Sequence, residues 1–322
     1  MRTLMRISTA VLLCIGAASA AAQGYPERPI RMVVPFPAGG GTDSLSRLLA
    51  TALTSKLNWV ITVDNKPGAG GNLALDTVAK AKPDGYTLVM AQTDNVVLNP
   101  LLYSKMTYDP VKDLEAVSSV ASGAVVLVVR ADSPYKTLAD VIAAGKAKPD
   151  AINYASSGSG TVAHLAVEQF QKVAGVKFTH VPYKGAAQGA TDLIGGQIQL
   201  YMSSVPTLIG HIRSGKMRAI AVTSDKRVND LPNVPTIAES GFKGFEAVTW
   251  FGIAGPASMP KDAVTKLNVA FNKALQDADV RKKLEGQGAD VLGGTPEQFG
   301  KLIQDDIVRW GKVVKDAGAK VD

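Results

Sequence analysis

Short β-branched runs alternate with stretches of helical periodicity along nearly the whole chain, and this alternation constrains the fold more than any other feature. The first unit shows it in full: VVPFPAGGGTDSLSRLLA, Val33 to Ala50. Pro35 and Pro37 lack the N–H that a sheet ladder needs and end a strand. Gly39, Gly40 and Gly41 permit a tight turn and leave backbone amides uncovered. Thr42 or Asp43 can cap a helix whose Leu45, Leu48 and Leu49 recur at helical spacing. Strand, bare-amide loop and helix N-terminus together make a generic anion site; the same residues also suit a tight turn with no ligand.

The pattern continues. Strands are expected over 30–35, 61–63 and 87–91, helices over 43–57 and 72–81, and a looser segment around NPLLYSKMTYDPVKDL. Two successive β runs follow, 114–121 and 125–130, with Ser122-Gly123 between them as the chain leaves a first lobe. A second series has helices over 138–147, 161–173 and 187–195, a helix ending near Gly215, and strands over 152–155, before Pro182, over 197–202 and over 218–223. A β run over 247–254 and helices over 261–286 and 296–317 close the chain. Two helices cannot build a core alone, so this tail is expected to rejoin the first lobe. The expected architecture is α/β with two lobes, 23–124 plus 247–322 and 125–246, each a β-sheet flanked by helices.

Residues 1–22 fit a secretory signal peptide: Arg2 and Arg6, then a short apolar core, then AASAAAQ. The core is too short and wrongly flanked for a membrane span, which makes the periplasm the expected compartment over a cytosolic N-terminal helix. Cys14, the only cysteine, lies in that core. Val11-Leu12-Leu13 before it lacks the small residue that precedes a lipidated cysteine. A mature chain without thiols suits an oxidising compartment and excludes disulfides, cysteine catalysis and thiolate metal sites. Loss of Arg2 and Arg6 lowers the formal charge from +7 to +5. The remaining cations alternate with Asp and Glu and no aromatic stripe accompanies them, so nucleic acid is not an expected partner.

Five loops after expected strands share one character: FPAGGGTD, PGAGGN, QTDN, SSGSGT and YKGAA. Ligands of open α/β sheets bind where such loops converge, at the carboxyl ends of the strands. Helix starts there contribute about 0.3–1 kcal/mol each toward an anion when exposed. No arginine occurs in the set, and Lys184 is its sole cation, either a ligand contact or a solvated turn residue. A carboxylate would therefore be held by amides, hydroxyls and bridging water. Enzymatic readings are weaker. SSGSGT lacks a nucleophile elbow, although Ser159 and His164 are close enough in sequence for a hydrolase pair. His164, His180 and His211 show no metal-ligand spacing, and no glycine loop fits a nucleotide motif. No cofactor or metal is expected.

These pieces occur together with others in a fixed order: YPERPIRMVVPFPAGGGTD, VDNKPGAGGN, AKPDGYTLVMAQ, INYASSGSGTVAHL, VPYKGAAQGATDLIGGQIQLYM, LPNVPTIAESGFKGFE and WFGIAGPASMP. In this the chain resembles, over essentially its whole mature length, the substrate-binding proteins of tripartite tricarboxylate transporters, also called Bug proteins. The resemblance implies a two-lobe periplasmic binding protein fold, type II-like, with flytrap closure and no enzymatic activity. It implies a small carboxylate as ligand (di- or tricarboxylate, acidic amino acid or aromatic acid) and the membrane permease components of such a transporter as partners. A monomer is the simplest expectation. Carried onto this sequence, the ligand loops are Phe36, Ala38, Gly39, Gly40, Gly41, Thr42 and Asp43; Ala69, Gly70, Gly71 and Asn72; and Thr93, Asp94 and Asn95. The second lobe adds Ser157, Gly158, Ser159, Gly160 and Thr161, with His164 one turn on; Tyr183, Lys184 and Gly185; and Met202 and Ser203 at a strand end. Two places depart from the family pattern: Gln199 stands where many members have Asp, and QTDN replaces a different small polar set. A secreted serine hydrolase using Ser159 and His164, and a ligand sensor for a signalling receptor, are the competing functions.

Overall fold

The computed structural model describes residues 24–317 and 319–321; the expected signal peptide, with Cys14, lies outside the described residues. The chain runs β1 (Ile30–Val34), α1 (Gly41–Leu57), β2 (Ile61–Asn65), α2 (Asn72–Ala79), β3 (Thr87–Gln92), α3 (Asn99–Leu102) and β4 (Leu114–Arg130). It continues with α4 (Leu138–Ala147), β5 (Asn153–Ser156), α5 (Val162–Ala174), β6 (Thr179–Pro182), α6 (Ala186–Ile194), β7 (Leu200–Ser204), α7 (Val205–Arg213) and β8 (Met217–Val222). Last come β9 (Val248–Pro256), α8 (Lys261–Gln276), α9 (Ala278–Glu285), β10 (Asp290–Val291) and α10 (Pro296–Ala317).

The strands order as β2-β1-β3-β9-β4-β7-β5-β6, with β8 and β10 also on β4. β1 lies parallel to β2 and β3, whereas β9 is antiparallel to β3 and to the first part of β4. β4 is the continuous member: Leu114 to Ala124 pair with β9, and Val125 to Val128 pair with β7. Ser122-Gly123 does not interrupt it, because both residues keep extended pairing with Trp250 and Thr249. β5 is parallel to β6 and β7.

In β1 only Arg31 is not buried, as expected of a strand covered on both faces. Ile30, Met32 and Val34 pack with Leu45, Leu49 and Leu53 of α1 and with Leu267 and Phe271 of α8. Val33 and Val89 face the other way, toward Ala74, Leu75 and Val78 of α2. Around β7 the same division recurs. Val126 and Val128 join Leu193 and Leu208 of α6 and α7, while Val125 and Leu127 join Leu165 and Phe170 of α5. The C-terminal helices pack back on the first part of the chain, α8 against α1 and β4.

Local departures from the sequence reading have simple causes. Helix α1 starts at Gly41, with Gly40 as N-cap and no side-chain cap. Thr42 and Asp43 are already helical, since their side chains are engaged elsewhere (below). The segment after β3 is a π turn over Asp94–Leu98 leading into α3, ordered by burial of Val96, Val97, Leu98 and Leu102. The long helix expected over 261–286 breaks at Asp277, whose extended backbone lets its carboxylate accept the N–H groups of Asp279 and Val280 and so cap α9.

Candidate functional site

Strands β1, β5, β6 and β7 lead into α1, α5, α6 and α7, and the starts of these four helices converge. Gly41, Val162 and Ala186, the first residues of α1, α5 and α6, and Ser204, the N-cap of α7, line one inner cavity with about 50 Å³ of free volume. Four positive helix ends thus surround one small space. Glycine at 41 is required by closeness: a Cβ there would lie 2.8 Å from Thr207 Oγ1 and 3.2 Å from Pro206 Cβ. The Gly41 N–H donates to Thr207 Oγ1 at 3.1 Å, joining the starts of α1 and α7.

The inner wall is a hydrogen-bonded relay. Thr42 Oγ1 donates to Gln92 Oε1 at 2.6 Å, and Gln92 Nε2 donates to Asp94 Oδ2 at 2.6 Å. Asp94 Oδ1 in turn accepts the Val162 N–H at 2.7 Å, so the carboxylate caps α5 from across the cavity. Burial pushes the Asp94 carboxyl up to about 6, against the opposing pull of those two donors. Opposite stand Ser157 and Ser203, whose hydroxyls are 3.0 Å apart. Among the described residues, no lysine or arginine lines this inner cavity. A larger outer cavity of about 470 Å³ shares Phe36, Pro37, Ser157 and Thr161 with it and opens past Tyr103, Tyr183 and Lys184.

The sequence-derived residues fall into three groups. Phe36, Gly40, Gly41, Thr42, Asp94, Ser157, Thr161 and Ser203 line the inner cavity. Ala69, Gly70, Gly71, Gly158, Ser159, Tyr183 and Lys184 line the outer one. The remainder line neither. Ala38 and Gly39 are exposed. Asp43 is turned away, accepting from Gly39 N–H and Asn65 Nδ2 and paired with Arg47; although burial opposes its ionisation, these partners hold its carboxyl below the ordinary value. Asn72 Oδ1 accepts from Asn99 and Tyr108. Thr93 Oγ1 takes the Trp250 N–H, and Asn95 Oδ1 takes the Gln92 N–H. Gly160 sits against Leu102 and Val321, Gly185 against Pro37, and Met202 in the core. These residues shape the loops from behind.

His164 is also withdrawn. Its Nδ1 accepts the Gly160 N–H at 3.2 Å, and its ring stacks on His180 with centroids 4.1 Å apart. Desolvation lowers both imidazoles, His180 to about 3 with help from the neighbouring ring. The Nε2 of His164 lies 3.9 Å from Glu168 Oε1, so the partners of both its ring nitrogens are groups other than Ser159. His180 bonds Ser156 Oγ instead, at 2.7 Å, but Ser156 is fully buried and is also bonded to Gly158. Gln199, one of the two departures from the family pattern, is held at the back of the sheet: its Oε1 accepts the Asn153 N–H at 2.9 Å and it lines neither cavity. Sequence reasoning included Gln92 only within the QTDN loop, not among the ligand residues, and missed Thr207 and Thr249; all three line the inner cavity. Gln92 ends a strand otherwise apolar from Leu88 to Ala91, and Thr249 is a lone hydroxyl ahead of Trp250 and Phe251; both were legible as polar residues in apolar runs.

Residues 45–319 match the model of the tripartite tricarboxylate transporter family receptor. BugT of Bordetella pertussis is 38% identical over 306 residues, covering 95% of this chain and 94% of its own. Among solved structures, an R. palustris protein with adipate superposes with a TM-score of 0.90 at 36% identity, over 92% of this chain and 100% of that one. MatC from Rhodopseudomonas palustris, with bound malate, gives a TM-score of 0.84 at 32% identity, over 90% and 100% of the two chains. The fold is that of the periplasmic binding proteins of this family. No helix of the described residues is long and apolar enough to cross a membrane.

Proposed function

The chain belongs to the tripartite tricarboxylate transporter receptor family, and we propose that it is a periplasmic receptor that captures a small organic carboxylate and delivers it to the membrane permease of such a transporter. One observation carries the reading: four helix N-termini and a set of hydroxyls meet in a cavity whose lining, among the described residues, has no lysine or arginine. A carboxylate there receives backbone N–H groups and aligned dipoles, which supply charge stabilisation with little side-chain ordering cost. The adipate and malate of the neighbouring structures fit the same chemistry.

The lobes we assign are 23–124 with 247–322, and 125–246. Two segments cross between them, β4 at Ala124–Val125 and the entry to β9 at Ala247. Fully buried Thr223 lies between the crossings: its Oγ1 accepts the Val125 N–H at 3.0 Å and donates to the Ala247 carbonyl. A free volume of about 50 Å³ holds about one or two waters. Entry of an acid of several carbons therefore requires the walls to part about these crossings, with closure selected by contacts to both sides.

The test is a thermal-shift screen of the mature protein against aliphatic, hydroxy, amino and aromatic carboxylates. A ligand at a hundredfold excess over Kd adds about 2.7 kcal/mol of apparent stability. A clear shift from at least one carboxylate is expected. Silence across all of them, with a shift from a neutral or purely cationic solute, overturns the reading.

A further inference from the structure

The inner cavity is not uniformly suited to anions. Its electropositive part lies at the starts of α1, α6 and α7, but the start of α5 already holds an anion, Asp94. Only two of the roughly four lone-pair positions of that carboxylate are used, by Val162 N–H and Gln92 Nε2, so toward the cavity it offers acceptor capacity alone. Thr42 fixes this polarity by donating to Gln92 Oε1, which leaves the amide nitrogen facing Asp94. Neither partner of Asp94 is charged, and a buried anion without a counter-charge is costly. A second, independent feature lies in the same cavity: Thr249 Oγ1, in a residue 4% exposed, lines it and has no hydrogen-bond partner in the protein. An unpaired buried hydroxyl is itself costly, and it is relieved by a polar group of the ligand.

Resting on the carboxylate-receptor reading, we infer that the ligand is an amino-carboxylate: its carboxylate docks at the starts of α1, α6 and α7, and its ammonium pairs with Asp94, the specificity-determining residue, within reach of Thr249. A second carboxylate at that end would face Asp94 as a like charge. An ammonium has three donors and no acceptor, which matches the acceptors that Asp94 and the Thr249 hydroxyl present.

The experiment is isothermal titration of the mature protein with four related acids: butyrate, succinate, 4-aminobutyrate and L-aspartate. 4-Aminobutyrate is butyrate with an added ω-amine, and L-aspartate is succinate with an added α-amine. At least one amine-bearing acid is expected to bind tenfold or more tighter than its amine-free counterpart. Asp94→Asn is expected to abolish that preference, weakening the amine-bearing acid tenfold or more and, with the like charge gone, tightening succinate. Thr249→Val removes no bond within the protein; it is expected to melt no lower than the wild type and to bind the preferred acid severalfold more weakly. Measurable binding in which neither amine-bearing acid is tighter than its amine-free counterpart overturns the inference and leaves the receptor reading intact. So does silence toward both amines when an amine-free acid scores in the wider screen. Silence toward every carboxylate defeats both.

Discussion

Replacing Asp94 by asparagine is predicted to raise stability at neutral and alkaline pH. In the folded chain the carboxyl titrates near 6 and in the unfolded chain near 3.8. Between those values the native state holds a proton that the unfolded chain has released, so stability falls as pH rises through the window. The loss, complete above about pH 6, corresponds to about 3 kcal/mol from the two values. Asparagine removes the charge without stranding the neighbours. Its Oδ1 accepts the Val162 N–H, and a flipped Gln92 accepts from its Nδ2 while donating to Thr42 Oγ1. Thermal melts of both proteins without added ligand, at pH 8 and pH 4, provide the assay. The variant should melt higher at pH 8, by on the order of 5–10 °C for a gain of this size, and the gap should nearly close at pH 4. Equal midpoints at pH 8, or an equal gap at both pH values, would refute the argument that this carboxylate is ionised at a cost in the closed cavity.

Other outcomes follow from the same contacts. Gly41→Ala drives a methyl between the starts of α1 and α7, against Thr207 and Pro206; it should weaken binding of the best carboxylate about tenfold in titration and also lower the ligand-free melt, as the overpacked helix starts are forced apart. Gly252→Ala places Cβ 2.2 Å from the ring of fully buried Phe299; urea denaturation should show a loss of about 2–3 kcal/mol or more. His180, half-buried and stacked between Tyr154 and His164, titrates near 3 when folded. An unfolded histidine takes its proton near 6.5, so wild-type stability should fall as pH drops from about 6.5 toward 3. His180→Phe keeps a ring in the stack and should make that acid limb shallower in melts at pH 7, 5 and 4, with His164 keeping its own share.

Much of the fold was legible because its causes are local. β1 with its Pro-Gly turn, α4, α5 and α10 follow from periodicity and breakers carried by neighbouring residues. The site was legible as loops but not as side-chain directions. FPAGGGTD identifies the start of α1, yet nothing in the sequence says that Thr42 points inward to Gln92 while the adjacent Asp43 points outward to Arg47 and Asn65. That division is set by helix phase once α1 begins at Gly41, one residue before Thr42 and two before Asp43. The π turn over Asp94–Leu98 was hidden for a similar reason: it follows a strand without an intervening loop, and burial stabilises it where propensity does not. Gln92 and Thr249 could have been singled out as polar residues in apolar runs. Their convergence, from β3 and β9, depends on the antiparallel pairing of two strands distant in sequence.

The most direct test of the central claim is a crystal structure of the mature protein with its tightest carboxylate. The account predicts carboxylate oxygens within about 2.7–3.2 Å of backbone N–H groups at the starts of α1, α6 or α7, with no lysine or arginine in contact. A carboxylate held by Lys184 in the outer cavity, or bound outside both cavities, would contradict it.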